Sequence, residues 1–591
     1  MARRGIAVIL AFLGAAIAVS IAAFIVIYLL VGRAPVLPDN SILLLRLNGD
    51  LPEIAPTDVV GYLSGDRTMT LRAFVDALRK AKSDPRVAGV LLEPKGFSTP
   101  YWAKLQEIRD AITDFRGSGK PVYAYLEIGS DRDYYIASAA DRVFLMPSSV
   151  LDLTGVASYE LFLRGTLDMA GVYPDLHHVG DYKTAVNQFV EHEFTPEHRQ
   201  VSEELTRGLY DEIVGGVAES RSRDESEIRA LMDTGPFLAQ RALDAGLVDG
   251  LAYADEVDAR LRAVTDAGER ATIDTDDYDR VSLRSLGLNQ GPRIAVIHAS
   301  GAIVSGESQF DPINGSAVGS DTLIDYIRRV RRDSSIRAMV LRIDSPGGSA
   351  IASDAIWREL MIGKDDEDAR PIVASMSDLA ASGGYYIAMA ADAIVAQPST
   401  LTGSIGIFGG KFVTGGLYNK LGANIQSTSA GRFAEMHSPI RPYNEEELVS
   451  VREQLQSFYD GFVEKVAESR GRTPEEIHQV AQGRVWTGRQ ALDHGLVDAL
   501  GGLDRAVIEA KALADIPVDS DVELVVYPAR RSLYELLTEE FTSPVADAVA
   551  SRWLASRLSA GELEVLRALR GPLAIFREGE PLALMPGALF R

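Results

Sequence analysis

The chain has 591 residues, and 46% of them are hydrophobic, which is enough for several large cores and too many for a disordered protein. Its formal net charge of −23 argues against nucleic acid as the main partner, because phosphate contacts need lysine and arginine. The sequence has no cysteine, which excludes disulfides, thiolate nucleophiles, zinc–thiolate sites and iron–sulfur clusters.

The first feature along the chain is an apolar segment. Arg3 and Arg4 precede an uncharged run at residues 5–32. About 20 apolar residues span a bilayer, so this run predicts one transmembrane helix. The apolar core of a cleaved signal peptide is usually only about 7–15 residues long, so we favour a retained signal-anchor over a cleaved leader. The positive-inside rule then places the arginines in the cytoplasm and the soluble bulk outside the cytoplasmic membrane.

The rest of the chain contains an internal repeat. The segment YYIASAAD at residues 134–141 recurs as YYIAMAAD at 385–392, an offset of 251, and ALDAGLVD at 242–249 recurs as ALDHGLVD at 491–498, an offset of 249. Two matches in the same order and at nearly the same spacing indicate duplicated domains, because the period is too long for a solenoid. The predicted units are an anchor with its exit (1–40), an N-terminal repeat (41–265), a linker (266–291), a C-terminal repeat (292–515) and an extension for packing or assembly (516–591).

Short β-rich runs alternate with stretches of helical periodicity in each repeat. Strands separated by helices imply right-handed crossovers, so we predict an α/β fold with mainly parallel sheets. Active groups in such folds lie at the carboxyl ends of strands and at adjoining helix N-termini. The second repeat is predicted to have strands at 293–298, 336–343, 371–375 and 393–396 and helices at 322–332, at 349–362 and from 382, and the extension a strand at 522–527 and amphipathic helices such as 559–569.

The two copies differ in a complementary way. The segment SGG at residues 382–384 of the second copy aligns with DRD at 131–133 of the first, whereas GDYK at 180–183 of the first copy aligns with GRFA at 431–434 of the second. The serine is therefore present only in the second half and the lysine only in the first. Because a duplicated protein needs only one set of working groups, this pattern suggests one site to which both copies contribute.

Ser382 is a candidate nucleophile at the predicted start of a helix. A hydroxyl at that position lies where an alkoxide or an oxyanion is favoured. Backbone amides of Gly383 and of Gly347 or Gly348, at the end of a neighbouring strand, would form an oxyanion hole. The simpler alternative for Ser382 alone is a helix N-cap, which is a common role for serine.

A serine nucleophile needs a base. None of the eight histidines lies in a recognisable triad motif, and no His-Glu-x-x-His sequence indicates a zinc protease. A lysine can replace histidine when burial lowers its pKa. Lys183 lies between apolar segments, which suits burial. Taken alone, an ordinary surface lysine is the simpler interpretation of Lys183, but the complementary losses favour a base.

Four motifs carry a resemblance to a known family. They are GDYKTAVN at residues 180–187, DSPGGS at 344–349, SGGYY at 382–386 and LTGSIG at 401–406. With these motifs the chain resembles the signal peptide peptidase A (protease IV) family of bacteria in its long two-repeat form, over nearly its whole length. The resemblance implies tandem domains of the Clp protease/crotonase-like fold, preceded by one transmembrane helix.

The resemblance also implies the roles of individual residues. It makes Ser382 the nucleophile, Lys183 the general base and Ser404 the residue that orients the lysine. The oxyanion donors would be the amides of Gly383 and Gly348. A turn-stabilising serine in a glycine-rich loop is the alternative for Ser404. No metal and no other cofactor is expected.

The implied function is that of a membrane-anchored serine endopeptidase with a Ser/Lys dyad. Its substrates would be cleaved signal peptides and other apolar, extended peptides. The resemblance further implies a homotetramer in the bacterial cytoplasmic (inner) membrane, with the soluble domains on the periplasmic side. Two alternatives remain open from the residues: a crotonase-like acyl-CoA enzyme and a non-catalytic membrane scaffold.

Overall fold

The computed structural model describes most of both repeats and a short part of the extension. The described residues are Gly14, 37–49, 51–54, 69–97, 99–268, 271–311, 315–364, 366, 368–529, 580–587 and 589–590. The predicted anchor, apart from Gly14, and the predicted helix at 559–569 lie outside them. Within the described part, no helix combines the length and the apolar character needed to cross a membrane.

The strands are numbered along the chain. Those of the first repeat and the segment after it are β1 (Ser41–Gly49), β2 (Val87–Phe97), β3 (Val122–Leu126), β4 (Gly129–Ser130), β5 (Arg142–Leu145), β6 (Val150–Asp152), β7 (Ser158–Tyr159), β8 (Tyr173–Val179), β9 (Phe237–Leu238), β10 (Gly250–Leu251) and β11 (Thr272–Asp274). Those that follow are β12 (Arg293–Ser300), β13 (Ala302–Val304), β14 (Gln309–Asp311), β15 (Gly315–Gly319), β16 (Ile336–Ser345), β17 (Gly347–Ser349), β18 (Ile372–Ala381), β19 (Ala393–Ala396), β20 (Leu401–Gly403), β21 (Ile407–Val413), β22 (Val485–Thr487), β23 (Ala499–Leu500), β24 (Glu523–Tyr527), β25 (Leu582–Leu584) and β26 (Leu589–Phe590).

Both repeats use the same strand order. The first has the parallel order β10-β5-β3-β2-β1-β11, and the second has β23-β19-β18-β16-β12-β24, again parallel. The antiparallel pair β6–β9 recurs as β20–β22. Central strands such as β18 are buried along their whole length, as in parallel sheets that are covered on both faces. These sheets confirm a tandem duplicated α/β fold with mainly parallel strands.

Most of the helices also recur in pairs, and the longest one in each copy starts at a capped end. Thr195 accepts a hydrogen bond from the His198 amide ahead of the first of these helices, and Asn444 forms a capping box with Glu447 ahead of the second. The helices of the first copy are Leu71–Ser83, Ala103–Arg116, Asp131–Ala137, Arg164–Ala170, Asn187–Val190, Pro196–Arg221, Glu225–Met232, Ala239–Asp244, Ala254–Thr265 and Thr275–Asp279. Those of the second are Ser320–Arg332, Ala350–Lys364, Gly383–Ala388, Gly415–Lys420, Glu445–Arg470, Pro474–Val480, Gly488–Asp493 and Leu503–Leu513.

Each repeat extends one strand beyond its predicted boundary. The segment predicted as a linker contains β11, which pairs in parallel with β1, and the fully buried Tyr278. In the same way β24, which was predicted as a strand of the extension, pairs in parallel with β12. A three-residue edge strand such as β11 alternates polar and apolar residues over too short a stretch to stand out in a sequence.

A third sheet joins the two repeats. Its order is β14-β15-β13-β17-β25-β21-β8. Strand β8 of the first copy pairs antiparallel with β21 of the second from one end to the other, and β25 of the extension lies between β17 and β21. The loop after β8 is therefore held against the second copy.

A buried ion-pair cluster also links the copies. Arg342 on β16 is 1% exposed, and its Nη2 lies 2.7 Å from a Glu53 oxygen and 2.8 Å from a Glu107 oxygen of the first copy. The Arg342 guanidinium holds the pKa of the Glu53 carboxyl well below its usual range against the opposing effect of burial. Loss of one partner would leave a buried charge, so this cluster favours a single relative arrangement of the copies.

Candidate active site

A tight turn after β8 places Lys183 against the second copy. Gly180 has φ +101°, and a Cβ there would lie 2.5 Å from the Gln482 carbonyl oxygen. The Tyr182 amide donates to that same oxygen at 2.9 Å. On the opposite side, a Cβ on Gly483 would lie 2.5 Å from Lys183 Cβ. The two glycines thus allow the lysine backbone to approach the second copy closely.

Ser382 lies between the end of β18 and the start of the helix Gly383–Ala388. Its backbone has φ +55° and ψ −108°, which is outside the regions that non-glycine residues usually adopt. Its amide donates to the Gly403 carbonyl at 2.7 Å. The Ser382 side chain makes no capping hydrogen bond, so the N-cap interpretation is wrong. Strain of this kind costs about 1–3 kcal/mol and is concentrated at functional sites.

The lysine and the two serines meet in one buried cluster. Lys183 Nζ lies 2.8 Å from Ser382 Oγ, 3.0 Å from Ser404 Oγ and 3.1 Å from the Ser404 carbonyl oxygen. All three residues have zero solvent exposure. Ser404 also has a positive φ of 50°, and its amide donates to the Arg484 carbonyl at 2.7 Å. The interpretation of Lys183 as a surface residue is therefore wrong.

Burial sets the charge of this lysine. Desolvation lowers the pKa of Lys183 well below the usual range, because the ammonium form loses its water. Within the described part of the chain, the contacts of Lys183 Nζ are to hydroxyl and carbonyl oxygens, with no carboxylate among them. No carboxylate of that set favours the ammonium form, so the contacts of the amine are consistent with a lowered pKa of Lys183.

The backbone amides predicted as oxyanion donors lie next to this cluster. A Cβ on Gly383 would lie 3.1 Å from the Gly348 nitrogen, and a Cβ on Gly347 would lie 2.7 Å from the Gly383 nitrogen. Gly347 has φ +100°, and a Cβ on Gly348 would overlap the Ile303 carbonyl oxygen. Because side chains are sterically excluded from this turn, the amides of Gly383 and Gly348 remain close to each other beside Ser382.

The aspartate of the DSPGGS motif and the two histidines on β8 have partners outside the lysine–serine cluster. Asp344, the first residue of the DSPGGS motif, pairs with Lys104 at 2.8 Å and accepts from the Leu379 amide at 3.2 Å. His177 and His178 lie on β8 but contact Asp175 and the Gly180 carbonyl. The motif aspartate therefore supports the turn, and the two histidines lie outside the lysine–serine cluster.

One neighbour of the cluster was not expected from the sequence. The extension was predicted to serve packing or assembly, yet its strand β25 pairs with β17, the strand that contains Gly347 and Gly348. Leu582 and Ala583 are fully buried there. Among the described residues, the first copy has no counterpart of this strand, so the comparison of repeats that pointed to the lysine and the serine gives no signal for it.

Comparison with known proteins agrees with this geometry. Peptidase family S49 matches residues 114–267 and 364–517 of the chain. The chain belongs to peptidase family S49. It is therefore a serine protease. Protease 4 of Salmonella typhi is 37% identical over 468 residues, which is 77% of this chain and 74% of that protein.

Two further relatives of this S49 peptidase carry informative names. The chloroplastic serine protease SPPA of Arabidopsis thaliana is 38% identical over 451 residues, or 76% of this chain and 66% of that protein. An Enterococcus faecium protein provisionally named signal peptide peptidase SppA is 32% identical over 221 residues, or 37% of this chain and 63% of that protein. The family match confirms the resemblance stated from the four motifs.

Proposed function

We propose that this S49 peptidase works through a Ser/Lys dyad. Ser382 is the nucleophile, Lys183 is the general base, and Ser404 orients the Lys183 amine. The amides of Gly383 and Gly348 act as oxyanion donors. The observation that carries this proposal is the 2.8 Å distance between Lys183 Nζ and Ser382 Oγ inside a fully buried cluster.

The chemistry proceeds by acyl transfer. Neutral Lys183 takes the proton from the Ser382 hydroxyl as Oγ attacks a peptide carbonyl carbon. The negative charge that develops on the carbonyl oxygen accepts hydrogen bonds from the two glycine amides. The Lys183 ammonium then gives its proton to the departing amine. Water hydrolyses the acyl-enzyme with Lys183 again as the base, which restores the serine.

Apolar, extended peptides are the substrates that best fit the surroundings of the dyad. Beside the dyad, β25 pairs with β17 in the third sheet, and main-chain pairing of this kind is a common way to bind extended peptides. An apolar cluster lies beside it: Leu163, Leu176, Ala185, Val186, Phe189 and Phe408. We propose that cleaved signal peptides are among these substrates, as the provisional name of the Enterococcus faecium relative suggests for that protein.

The other functions left open by the residues have less support. Membership of a peptidase family favours the protease over a crotonase-like acyl-CoA enzyme and over a non-catalytic membrane scaffold. Intact Ser382, Lys183 and Ser404 argue against a decayed site. The assignment of each repeat to the Clp protease/crotonase-like folds stays a proposal that rests on the resemblance.

We further propose that residues 5–32 anchor a homotetramer in the bacterial cytoplasmic membrane with the soluble domains on the periplasmic side. The uncharged run and the paired arginines before it support this topology. Protease added to intact spheroplasts should degrade the soluble part. Protection of the soluble part until the membrane is broken would contradict the orientation.

The dyad is tested by single substitutions with a matched control. Ser382→Ala and Lys183→Met should each lower hydrolysis of a fluorogenic apolar peptide by at least about 10³-fold, because each removes a group that acts in the transition state. Ser130→Ala, which changes the serine that starts the corresponding helix of the first copy, should leave turnover unchanged. A fluorophosphonate probe should label Ser382, as mapped by peptide mass spectrometry.

Two further readouts complete this experiment. Ser404→Ala should lower kcat by up to about 10²-fold with little change in KM, because a misplaced base slows the chemical step rather than binding. Circular dichroism should report a folded protein for every variant. Normal turnover in Ser382→Ala or in Lys183→Met would contradict the dyad.

A further inference from the structure

One turn of the second copy is bonded to both loops of the lysine–serine cluster. The turn comprises residues 481–484. Its Gln482 carbonyl accepts from the Tyr182 amide at 2.9 Å. Its Arg484 carbonyl accepts from the Ser404 amide at 2.7 Å. The loop of the proposed base and the loop of its orienting serine are therefore hydrogen-bonded to the same four residues.

The side chain of Arg484 makes a further link between this turn and the first copy. Its guanidinium carbon lies 4.9 Å from the centre of the Tyr182 ring and 4.2 Å from the centre of the Trp486 ring. Its Nη2 donates to the Glu204 carboxylate on the longest helix of the first copy. The Arg484 side chain is only 15% exposed, and contacts between a guanidinium and an aromatic ring strengthen when water is excluded. Arg484 thus binds the residue that immediately precedes Lys183.

The first copy has no arginine at the corresponding position. At the offset of 249 that relates the segments ALDAGLVD and ALDHGLVD, Arg484 aligns with Gly235. The strand after the turn, β22, is the counterpart of β9, which supports this alignment. The arginine is thus present beside the lysine–serine cluster and absent from the other copy. This distribution favours a role at the cluster over a role in the stability of each repeat.

We propose that Arg484 is a positioning residue for the general base. This role rests on the proposed dyad and is exerted through Lys183, without contact to the substrate. Arg484 holds the Tyr182 ring against the turn. The Lys183 backbone consequently stays packed on Gly483, where an added Cβ would lie 2.5 Å from Lys183 Cβ. This packing excludes water from the amine and keeps Nζ at 2.8 Å from Ser382 Oγ.

The surroundings of the base identify what Arg484 controls. Among the described residues, the titratable and charged groups around the base lie on its own segment, on the turn and on three helices: His178, Asp181, Arg484, Glu204, Tyr459 and His478. The Arg484 charge is offset by its ion pair with Glu204. Burial is the cause that lowers the pKa of Lys183. Access of water to the amine, rather than the Arg484 charge, therefore decides where the base titrates.

The test compares two arginines of the second copy that pair with the same helix of the first. Arg484→Met should lower kcat for a fluorogenic apolar peptide by about 10–10²-fold and leave KM within about twofold, because a displaced base slows the chemical step. Arg489→Met is the matched control. Arg489 pairs with Glu212 on that helix, but its side chain is 55% exposed and it lies beyond β22 from the turn. Its loss should leave turnover unchanged, and circular dichroism should report both variants as folded.

A pH profile separates a positioning role from a loss of stability. The acid limb of kcat/KM reports the pKa of the base in the free enzyme. Water that reaches Lys183 in Arg484→Met should raise its pKa toward the ordinary value of about 10.4, so the acid limb should move up by at least about half a pH unit. A partly unfolded variant would instead lose the same fraction of activity at every pH.

The ring contact is tested by a double-mutant cycle. Tyr182→Leu removes the ring and should lower kcat as much as Arg484→Met does, whereas the conservative Tyr182→Phe keeps the ring and should retain most of the wild-type kcat. The double variant Arg484→Met/Tyr182→Leu should be no slower than either single variant, because both changes break the same contact. Arg484→Lys keeps the charge without the planar guanidinium, so its kcat should stay close to that of Arg484→Met.

The outcomes distinguish the positioning role from the dyad itself. Wild-type kcat and pH profile in Arg484→Met would overturn the positioning role and leave the dyad standing. Equal losses in Arg484→Met and Arg489→Met, a loss without a shift of the acid limb, additive losses in the cycle, or full recovery in Arg484→Lys would each overturn it as well. Normal turnover in Lys183→Met would instead contradict the dyad.

Discussion

The two copies start corresponding helices in opposite ways. After β4, Ser130 accepts from the Asp133 amide, and the Asp133 carboxylate accepts from the Ser130 amide, a complete capping box. The same carboxylate accepts from the Gly96 amide at 3.1 Å. After β18, Ser382 has a positive φ and no capping bond. The first copy satisfies the start of its helix with its own side chains, whereas in the second copy the serine hydroxyl contacts Lys183 of the first copy and the serine backbone is strained.

A second difference concerns the residue after each of these starts. Arg132 of the first copy aligns with Gly383 of the second. The Arg132 guanidinium lies 5.1 Å from the Trp102 ring centre and donates to the Phe590 carbonyl. In the second copy this position is a glycine that offers only its backbone amide. In the first copy it is an arginine that binds the extension. The first copy therefore uses this position for packing, whereas the second has the proposed nucleophile next to it.

Among the changes that test this difference between the copies, the largest effect is expected from adding one methyl group at the turn after β16. Gly347→Ala should lower peptide hydrolysis by about 10²–10³-fold, as the loss of an oxyanion donor does, because its Cβ would occupy the place of the Ala583 carbonyl oxygen next to the Gly383 nitrogen. Gly96→Ala at the end of β2 is the control. Gly96 also has a positive φ, +76°, but an added Cβ there would meet open space.

Both substitutions put alanine where φ is positive, which alone should lower the free energy of unfolding by about 1–2 kcal/mol. The backbone overlap at Gly347 should add to that loss. Only Gly347→Ala should lose turnover, measured as kcat/KM with a fluorogenic peptide. Equal losses in the two variants would indicate that backbone strain, rather than a blocked carbonyl position, is responsible. Such a result would contradict the idea that only the turn of the second copy must leave room for a carbonyl.

Much of this arrangement could be predicted from the sequence. Motif copies at offsets near 250 residues indicated the duplication, and alternating strands and helices indicated parallel sheets. The opposite losses of Lys183 and Ser382 suggested a shared site, and the structure brings the two side chains to 2.8 Å within one chain. These signals are local in the sequence, or are repeated in it, and for that reason a reader of the sequence can find them.

The features that could not be predicted depend on contacts between distant segments. The pairing of β25 with β17 joins residues more than 200 positions apart, and nothing in the sequence of 582–584 specifies that partner. The close packing of Gly483 on Lys183 is similar, because a lone glycine gives no sign of which backbone approaches it. Short edge strands such as β11 lack the length that a periodic pattern needs.

The smallest expected effect concerns the protonation state of Lys183, the proposed base, which aligns with Ala434 of the second copy. Burial lowers the pKa of Lys183, and unfolding returns it to about 10.4. Between these two pKa values the unfolded chain binds one more proton than the native chain, so this lysine destabilises the native state at lower pH and the effect fades as pH rises. Lys183→Met removes that dependence.

In a Ser382→Ala background, Lys183→Met should be the more stable protein at neutral pH. Its advantage in the free energy of unfolding should shrink by up to about 1.4 kcal/mol for each pH unit toward pH 10. Urea unfolding at a series of pH values measures this difference. Parallel stability profiles would mean that the native lysine is charged, and a charged amine could not take the serine proton. The position would then resemble its counterpart in the second copy, which offers no base at all.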